Sequence, residues 1–227
     1  MSYKHDVRLK QFLEPSAFCD CDNAEVNSTV KELTKGTKND REATVRIFYF
    51  VRDQIRFAYP SLGKASGTLR LGYGTCSSKA NVQVALLRSI GIPARFRLQL
   101  TEARLLFGDK VPPPFIDEEF SGEVTHYLAE VYVDGKWLMA DTTFDKELDP
   151  KRARDWNGKE HVAILDEKEV FRELGTKVNI DQVLESREKE WEKMTKQEKE
   201  NIRLRNGILN SYFELVRLRN KLKPGKP

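Results

Sequence analysis

The chain has 227 residues, 39% of them apolar and 33% charged, and no run of about twenty apolar residues, so no membrane helix is expected. That length can bury a substantial core, as one larger domain or one domain with an appendage. The net charge of +4 is uneven: from Arg187 onward there are 12 basic and 6 acidic residues, which leaves the remainder at −2. Such a basic tail reads as the solvated face of a helix, so neither nucleic acid nor a membrane is an expected partner.

The three cysteines, Cys19, Cys21 and Cys76, are too few for a disulfide framework, and an odd count leaves at least one thiol free. A reducing compartment is expected. The opening Met1-Ser2-Tyr3-Lys4-His5-Asp6 lacks the apolar core of a secretory signal, and the expectation is a cytoplasmic protein. Cys19 and Cys21 with a histidine lack zinc-site spacing, so no metal and no cofactor are expected.

Helical patterns span Asn23 to Leu33 and Asp40 to about Ile55, the second with Val45, Phe48, Val51 and Ile55 at helical spacing and Asp40 as N-cap. Pro60-Ser61-Leu62-Gly63 and Ser66-Gly67 read as loop. The turn Tyr73-Gly74-Thr75 then opens a helix at Cys76 that Gly91-Ile92-Pro93 stops. A thiol at a helix start faces backbone N–H groups with no intrahelical acceptor and the positive end of the helix dipole. Both favour the thiolate, the reactive form. A free cysteine there can equally be a small buried apolar residue.

Ala94 to Leu100 alternates apolar and polar residues as a half-buried strand does. The stretch Gly108 to Gly122, with Pro112-Pro113-Pro114 and Asp117-Glu118-Glu119, reads as loop. It falls between the thiol and the next histidine; it can border a substrate cleft, its acidic run then favouring a cationic substrate, but solvated surface is the preferred reading. Thr125 to Val133 and Lys136 to Thr142 are strands joined by Asp134-Gly135, a two-residue hairpin signal. Such a turn pairs Tyr132 with Trp137 and Glu130 with Met139. His126 and Asp141 then share one face as diagonal neighbours, close enough for a base and its orienting carboxylate. A one-residue slip would separate them.

After Pro150 the character changes. Asp181 to Lys193 reads as a charged helix, and Thr195 with Glu198 forms a capping box for another. That last helix carries Ile208, Tyr212, Leu215 and Leu222 as an apolar stripe, suited to dock on the domain or on a second subunit. A homodimer through the C-terminal helices is one open reading.

Gly72-Tyr73-Gly74-Thr75-Cys76 and Ala85-Leu86-Leu87-Arg88-Ser89-Ile90-Gly91-Ile92-Pro93-Ala94-Arg95 resemble the nucleophile segment of the transglutaminase-like superfamily, in its short microbial form. His126-Tyr127-Leu128-Ala129-Glu130-Val131-Tyr132, Gly135-Lys136-Trp137 and Asp141-Thr142-Thr143 resemble that family's His and Asp strands. Phe50 to Phe57 resembles the helix preceding its active site, and the likeness runs from about Phe12 to Asp145. The departures are Tyr127-Leu128, where an aromatic is frequent shortly after the histidine, and Thr142, where a proline is frequent.

The resemblance implies an α+β fold: a papain-like/transglutaminase-like core with N-terminal helices, the nucleophile helix packed on an antiparallel β-sheet, and a C-terminal helical extension. The expected division is a catalytic domain over 1–175 and a charged helical extension over 176–227. It implies Cys76 as nucleophile, His126 as general base and then acid, and Asp141 as the residue that orients the imidazole. The Cys76 backbone N–H is an expected oxyanion donor, with Gln54 or Tyr59 as candidates for the second. The implied substrate is a peptide or protein amide. Water releasing the thioester gives a peptidase or amidase, and an amine gives a transglutaminase. The compact domain and the lack of an Asp-x-Asp-x-Asp-Gly calcium loop favour hydrolysis. A non-catalytic interaction module on the same fold is the other alternative.

Overall fold

The computed structural model describes residues 6–60, 63–112, 115 and 120–222. The N-terminal Met1 to His5, Ser61-Leu62, Pro113-Pro114 and the acidic run Asp117-Glu118-Glu119 lie outside the described residues. A short turn α1 (Val7–Lys10) leads into α2 (Ala24–Leu33) and α3 (Asp40–Gln54). The N-cap of α3 is Asn39 rather than Asp40: its extended backbone lets Oδ1 accept the Glu42 N–H at 2.9 Å. β1 (Arg56–Phe57) pairs in parallel with β2 (Tyr73–Gly74) across the helix α4 (Ala65–Leu71).

Ser66-Gly67 therefore lies inside a helix, not a loop. The cause is distant in sequence: the Asp20 carboxylate accepts the Ser66 N–H at 3.0 Å and its hydroxyl at 2.5 Å, tying down the first turn. Gly72, left-handed at φ 71°, closes α4.

α5 (Cys76–Ser89) runs through the middle of the molecule, with every residue from Ser77 to Arg88 buried. It packs on an antiparallel sheet of β3 (Ala94–Glu102), β4 (Glu123–Val133), β5 (Lys136–Ala140) and β6 (Arg172–Lys177), in the order β5-β4-β3-β6. The β4–β5 ladder pairs Tyr132 with Trp137, Glu130 with Met139 and Ala129 with Ala140. Its two-residue turn is made by Asp134 at φ 52° and Gly135 at φ 82°, the positive pair that matches the twist of a hairpin. A short helix α6 (Ala103–Phe107) follows β3.

Two apolar clusters hold these layers. In the larger, Val26, Ile47, Phe48 and Val51 meet Val84 and Leu87 of α5 and Phe96 and Val131 of the sheet. In the smaller, Phe57, Phe107 and Phe144 meet Leu209, Phe213 and Val216 of the last helix.

The C-terminal segment consists of α7 (Asp181–Lys193) and α8 (Lys196–Leu222), with the Thr195–Glu198 capping box formed between them. The docking face of α8 differs from the stripe read in the sequence. Leu209, Phe213 and Val216 are buried, whereas Ile208, Leu215 and Leu222 are 46%, 60% and 82% exposed. Two polar contacts select that face. Arg217 forms a buried pair with Asp145, and Asn210 exchanges hydrogen bonds with the Tyr59 backbone at 2.9 and 2.6 Å. Among the described residues no helix is long and apolar enough to cross a membrane.

Candidate active site

Cys76 is the first residue of α5, and Thr75, its N-cap, makes no side-chain capping bond. The first-turn N–H groups thus keep their polarity for whatever lies at the helix start. The approach to that point is tight. A Cβ on Gly74 would come within 2.2 Å of Ser78 Oγ and 3.1 Å of Thr68 Cγ2. Glycine lets β2 pass close enough to α5 to turn directly into the cysteine.

His126 on β4 and Asp141, just past the end of β5, are both buried. His126 Nε2 lies 2.8 Å from Asp141 Oδ2. The carboxylate is fixed by a segment that the sequence reading passed over. Thr143 N–H donates to Oδ1 at 3.0 Å, and Ile164 N–H to Oδ2 at 3.2 Å. Ala140 bridges in parallel to Val162, and the Asp141 N–H donates to the Val162 carbonyl at 3.1 Å. A strand-like return from Val162 to Ile164 therefore sets the acid. Its only sequence signal was the apolar Val162-Ala163-Ile164-Leu165 run.

With Nε2 committed to Asp141, Nδ1 has no hydrogen-bond partner among the described residues, and the Cys76 thiol and this ring shift each other's pKa. Burial alone would raise the thiol pKa, but His126, the Tyr127 N–H and the Arg187 charge outweigh it and hold it below its ordinary value. Burial likewise opposes a charged His126. The Asp141 carboxylate overrides that, and with the thiol it brings the ring pKa up to about 10. Asp141 is held below the usual carboxylate range because the imidazolium and Thr143 offset its own burial. The three shifts run in the directions that favour a thiolate, an imidazolium and a carboxylate.

The other two thiols are unlike this one. Burial pushes Cys19 up to about 12 and Cys21 to about 11, and both sit in or against the apolar core. Among the described residues no group of three or more His, Cys, Asp or Glu is placed to hold a metal ion.

Cys76 opens onto a cavity of about 450 Å³. Phe57, Leu106, Phe107 and Phe120 form apolar wall, while Arg187, Trp191, Met194 and Asn206 come from α7, α8 and their junction. Sequence reasoning missed this contribution, because the helices meet the cleft through packing that no local pattern encodes. Of the two suggested side-chain oxyanion donors, Tyr59 lines the cavity, whereas Gln54 is exposed at the end of α3 and does not. Ala103, Leu106, Phe107, Phe120 and Ser121 also border it. Part of the connection between β3 and β4 is therefore cleft wall rather than plain solvated loop.

Comparison with known proteins agrees with this architecture. The solved structure of a candidate cysteine protease from Cytophaga hutchinsonii aligns with a TM-score of 0.53 at 18% identity, covering 77% of this chain and 48% of that one. A candidate protease from Parabacteroides distasonis ATCC 8503 aligns with a TM-score of 0.39 at 18% identity, covering 62% of this chain and 26% of its own. The chain thus spans about half the length of the first structure and about a quarter of the second. No curated protein matches it. The profile of the transglutaminase-like superfamily matches residues 27–142, which run from α2 through the thiol, the histidine and the aspartate. With half its length under that profile and a papain-like core of helices on an antiparallel sheet, the chain belongs to the transglutaminase-like superfamily.

Proposed function

We propose that the protein is a cysteine hydrolase of amide or peptide bonds, with Cys76 as nucleophile, His126 as acid and base, and Asp141 as the group that holds the ring. One observation carries this reading. The thiol opens onto the cavity, and the ring that lowers its pKa has its Nε2 2.8 Å from a buried carboxylate. An inert structural cysteine has no use for either partner, and Cys19 and Cys21 have neither.

The steps follow from the charges. The thiolate adds to the amide carbonyl, and the oxygen that becomes negative is met by the N–H groups at the start of α5. His126, protonated at Nδ1, gives that proton to the leaving amine, and the carbon–nitrogen bond breaks to leave a thioester. The neutral ring then takes a proton from water, hydroxide adds to the thioester, and the thiolate departs. Asp141 keeps Nε2 occupied throughout, so that Nδ1 always faces the sulfur.

Water is the preferred acceptor because the cavity beside the sulfur carries Arg187, Glu190, Glu123 and Asn206 among its walls, groups that hold water rather than exclude it. A transglutaminase must keep water from the thioester until an amine arrives. The test is incubation with a glutamine-containing peptide and a labelled primary amine, with Cys76→Ala as control. Release of free acid dependent on Cys76 supports hydrolysis. Efficient amine incorporation with little free acid assigns amine transfer instead, and no thiol-dependent reaction with any amide substrate leaves the interaction module.

A further inference from the structure

Arg187 differs from most of the other arginines near the core, as does Arg88, which donates to backbone carbonyls. Arg52, Arg95, Arg97, Arg152 and Arg217 each reach a carboxylate within 3.0 Å. Among the described residues Arg187 reaches none. It donates instead through Nη1 to the Ser77 hydroxyl at 2.9 Å, one residue beyond Cys76, and stands near the Tyr127 ring at 5.8 Å. It is exposed, and the surface it helps to form is the wall of the cavity that holds the thiol.

Its position is built rather than incidental. The start of α7 is pinned by Asp181, whose carboxylate accepts the Ser16 hydroxyl at 2.8 Å and the Ala17 N–H at 3.0 Å. Leu184, one turn before Arg187, is buried in the main core. The long side chain thus leaves a fixed helix and ends beside the nucleophile, with one of its nitrogens used on a neutral hydroxyl and the remaining N–H groups of the fork left for another partner. A planar guanidinium of this kind matches a carboxylate with two parallel hydrogen bonds.

The geometry points to Arg187 as a specificity residue that binds a carboxylate carried by the substrate close to the amide that Cys76 attacks. The favoured substrates are then short: a peptide end or an amino-acid amide whose acid group lies beside the scissile bond and whose apolar part rests on Phe57, Leu106 and Phe107. Glu123 and Glu190 also border the cavity, so its overall charge is balanced. Selection depends on which group stands next to the sulfur, and through Ser77 that group is Arg187. Glu190 is turned to its own helix, where it accepts the Ser186 hydroxyl at 3.3 Å.

This inference rests on Cys76 being the nucleophile, and one experiment separates the two claims. Cys76 of the full chain is alkylated at neutral pH and low salt with iodoacetate and, separately, with iodoacetamide, which differ in carrying a carboxylate or a neutral amide. The expected result is that Arg187→Gln lowers the iodoacetate-to-iodoacetamide rate ratio about tenfold, the scale of one charge-assisted hydrogen bond. The iodoacetamide rate should fall far less than the iodoacetate rate, because losing the Arg187 charge beside the thiol acts on both reagents alike, and Arg187→Lys should keep part of the ratio. The His126 charge is common to all three proteins and cancels. An unchanged ratio in Arg187→Gln, with iodoacetamide still fast, overturns the carboxylate site and leaves the nucleophile standing. If the starting protein reacts with iodoacetamide no faster than a free thiol, both claims fall. Loss of iodoacetamide reactivity in Arg187→Gln and Arg187→Lys alike, with the fold retained, makes Arg187 a support for Ser77 and overturns the inference.

Discussion

Asp145 and Arg217 form an ion pair in which both side chains are almost wholly buried, with Nη2 2.6 Å and Nε 3.0 Å from the carboxylate oxygens. It fastens α8 to the segment that follows Asp141. The same carboxylate accepts the Phe57 N–H at 3.1 Å, and Arg217 donates to the Phe57 carbonyl at 2.9 Å. One pair thus joins the C-terminal helix, β1 and the strand end that supplies the acid.

Removing Arg217 leaves the Asp145 carboxylate without its arginine in a buried site, whereas Arg217 also reaches Glu214 at 2.8 Å. Arg217→Ala is expected to cost about 3–5 kcal/mol, and Asp145→Asn with Arg217→Met should recover part of it. Urea midpoints of the single and double variants check this. Truncation after Lys177 should be worse than either, since it bares Phe57, Phe144 and Leu148 together.

The thiol and the imidazole shift in opposite directions, and the pH dependence of stability follows. His126 binds its proton more tightly folded than unfolded, so its stabilisation is full below about pH 6.5 and is lost as pH rises through about 10. Cys76 is shifted down, so its stabilisation is full above about pH 8.5 and is lost as pH falls through the folded value. Between these limits the slopes of the two groups have opposite signs and offset one another. In Cys76→Ala only the histidine remains. Its urea midpoint should fall relative to the starting protein as pH rises from about 6.5 to 8.5, and parallel curves would disprove the ion pair.

Alkylation reports the same pair directly. Iodoacetamide should react with Cys76 at mildly acidic pH almost as fast as at neutral pH. In His126→Ala the rate should instead rise with pH along the curve of an ordinary thiol near 8.5.

Lys79, one turn after Cys76, is buried, and burial brings its pKa down to about 7 despite Asp145. Its ammonium donates to the Arg52 carbonyl at 3.0 Å and the Ile55 carbonyl at 2.5 Å, closing the C-terminus of α3. The folded protein sheds this proton before the unfolded chain does, so stability due to Lys79 rises as pH climbs from about 7 to about 10.4. Lys79→Met should leave the α3 carbonyls unsatisfied at a cost of about 1–3 kcal/mol and remove that rise. Comparing the difference in urea midpoint between wild type and variant at pH 7 and pH 10 checks both.

Gly74→Ala puts a methyl group into Ser78 Oγ and the Thr68 methyl. The expected cost is about 1–3 kcal/mol of overpacking, with a slower iodoacetamide reaction because the displaced Ser78 lies in the first turn that presents the sulfur. Thermal unfolding and alkylation measured together test this, and an unchanged alkylation rate would disconnect Gly74 from the thiol.

What could be read from the sequence was what local rules encode. Asp134-Gly135 set the β4–β5 register, and that register carried His126 and Asp141 to one face. Gly91-Ile92-Pro93 marked the end of α5, and Thr195 with Glu198 marked the junction of α7 and α8. What could not be read depends on partners far along the chain. α4 begins where it does because Asp20 caps it, and Asp141 is aimed by Thr143 and by the return at Val162 to Ile164. The face of α8 that docks is chosen by Arg217 and Asn210, polar residues that a search for apolar stripes passes over. Of the stripe Ile208, Tyr212, Leu215 and Leu222, Tyr212 packs half-buried against the core while the other three face outward.

The superfamily profile ends at residue 142, yet Arg187, Trp191, Met194 and Asn206 of the cavity wall all lie beyond it. The cavity beside Cys76 is thus walled by two stretches of the chain, one under the profile with Phe57, Leu106 and Phe107, and one beyond it. Substitutions at the cavity-facing positions of α7 and α8 would reshape one wall while leaving the residues of the other as they are. Two chains alike under the profile can therefore differ in the wall that faces the sulfur, and likeness over residues 27–142 says nothing of that wall.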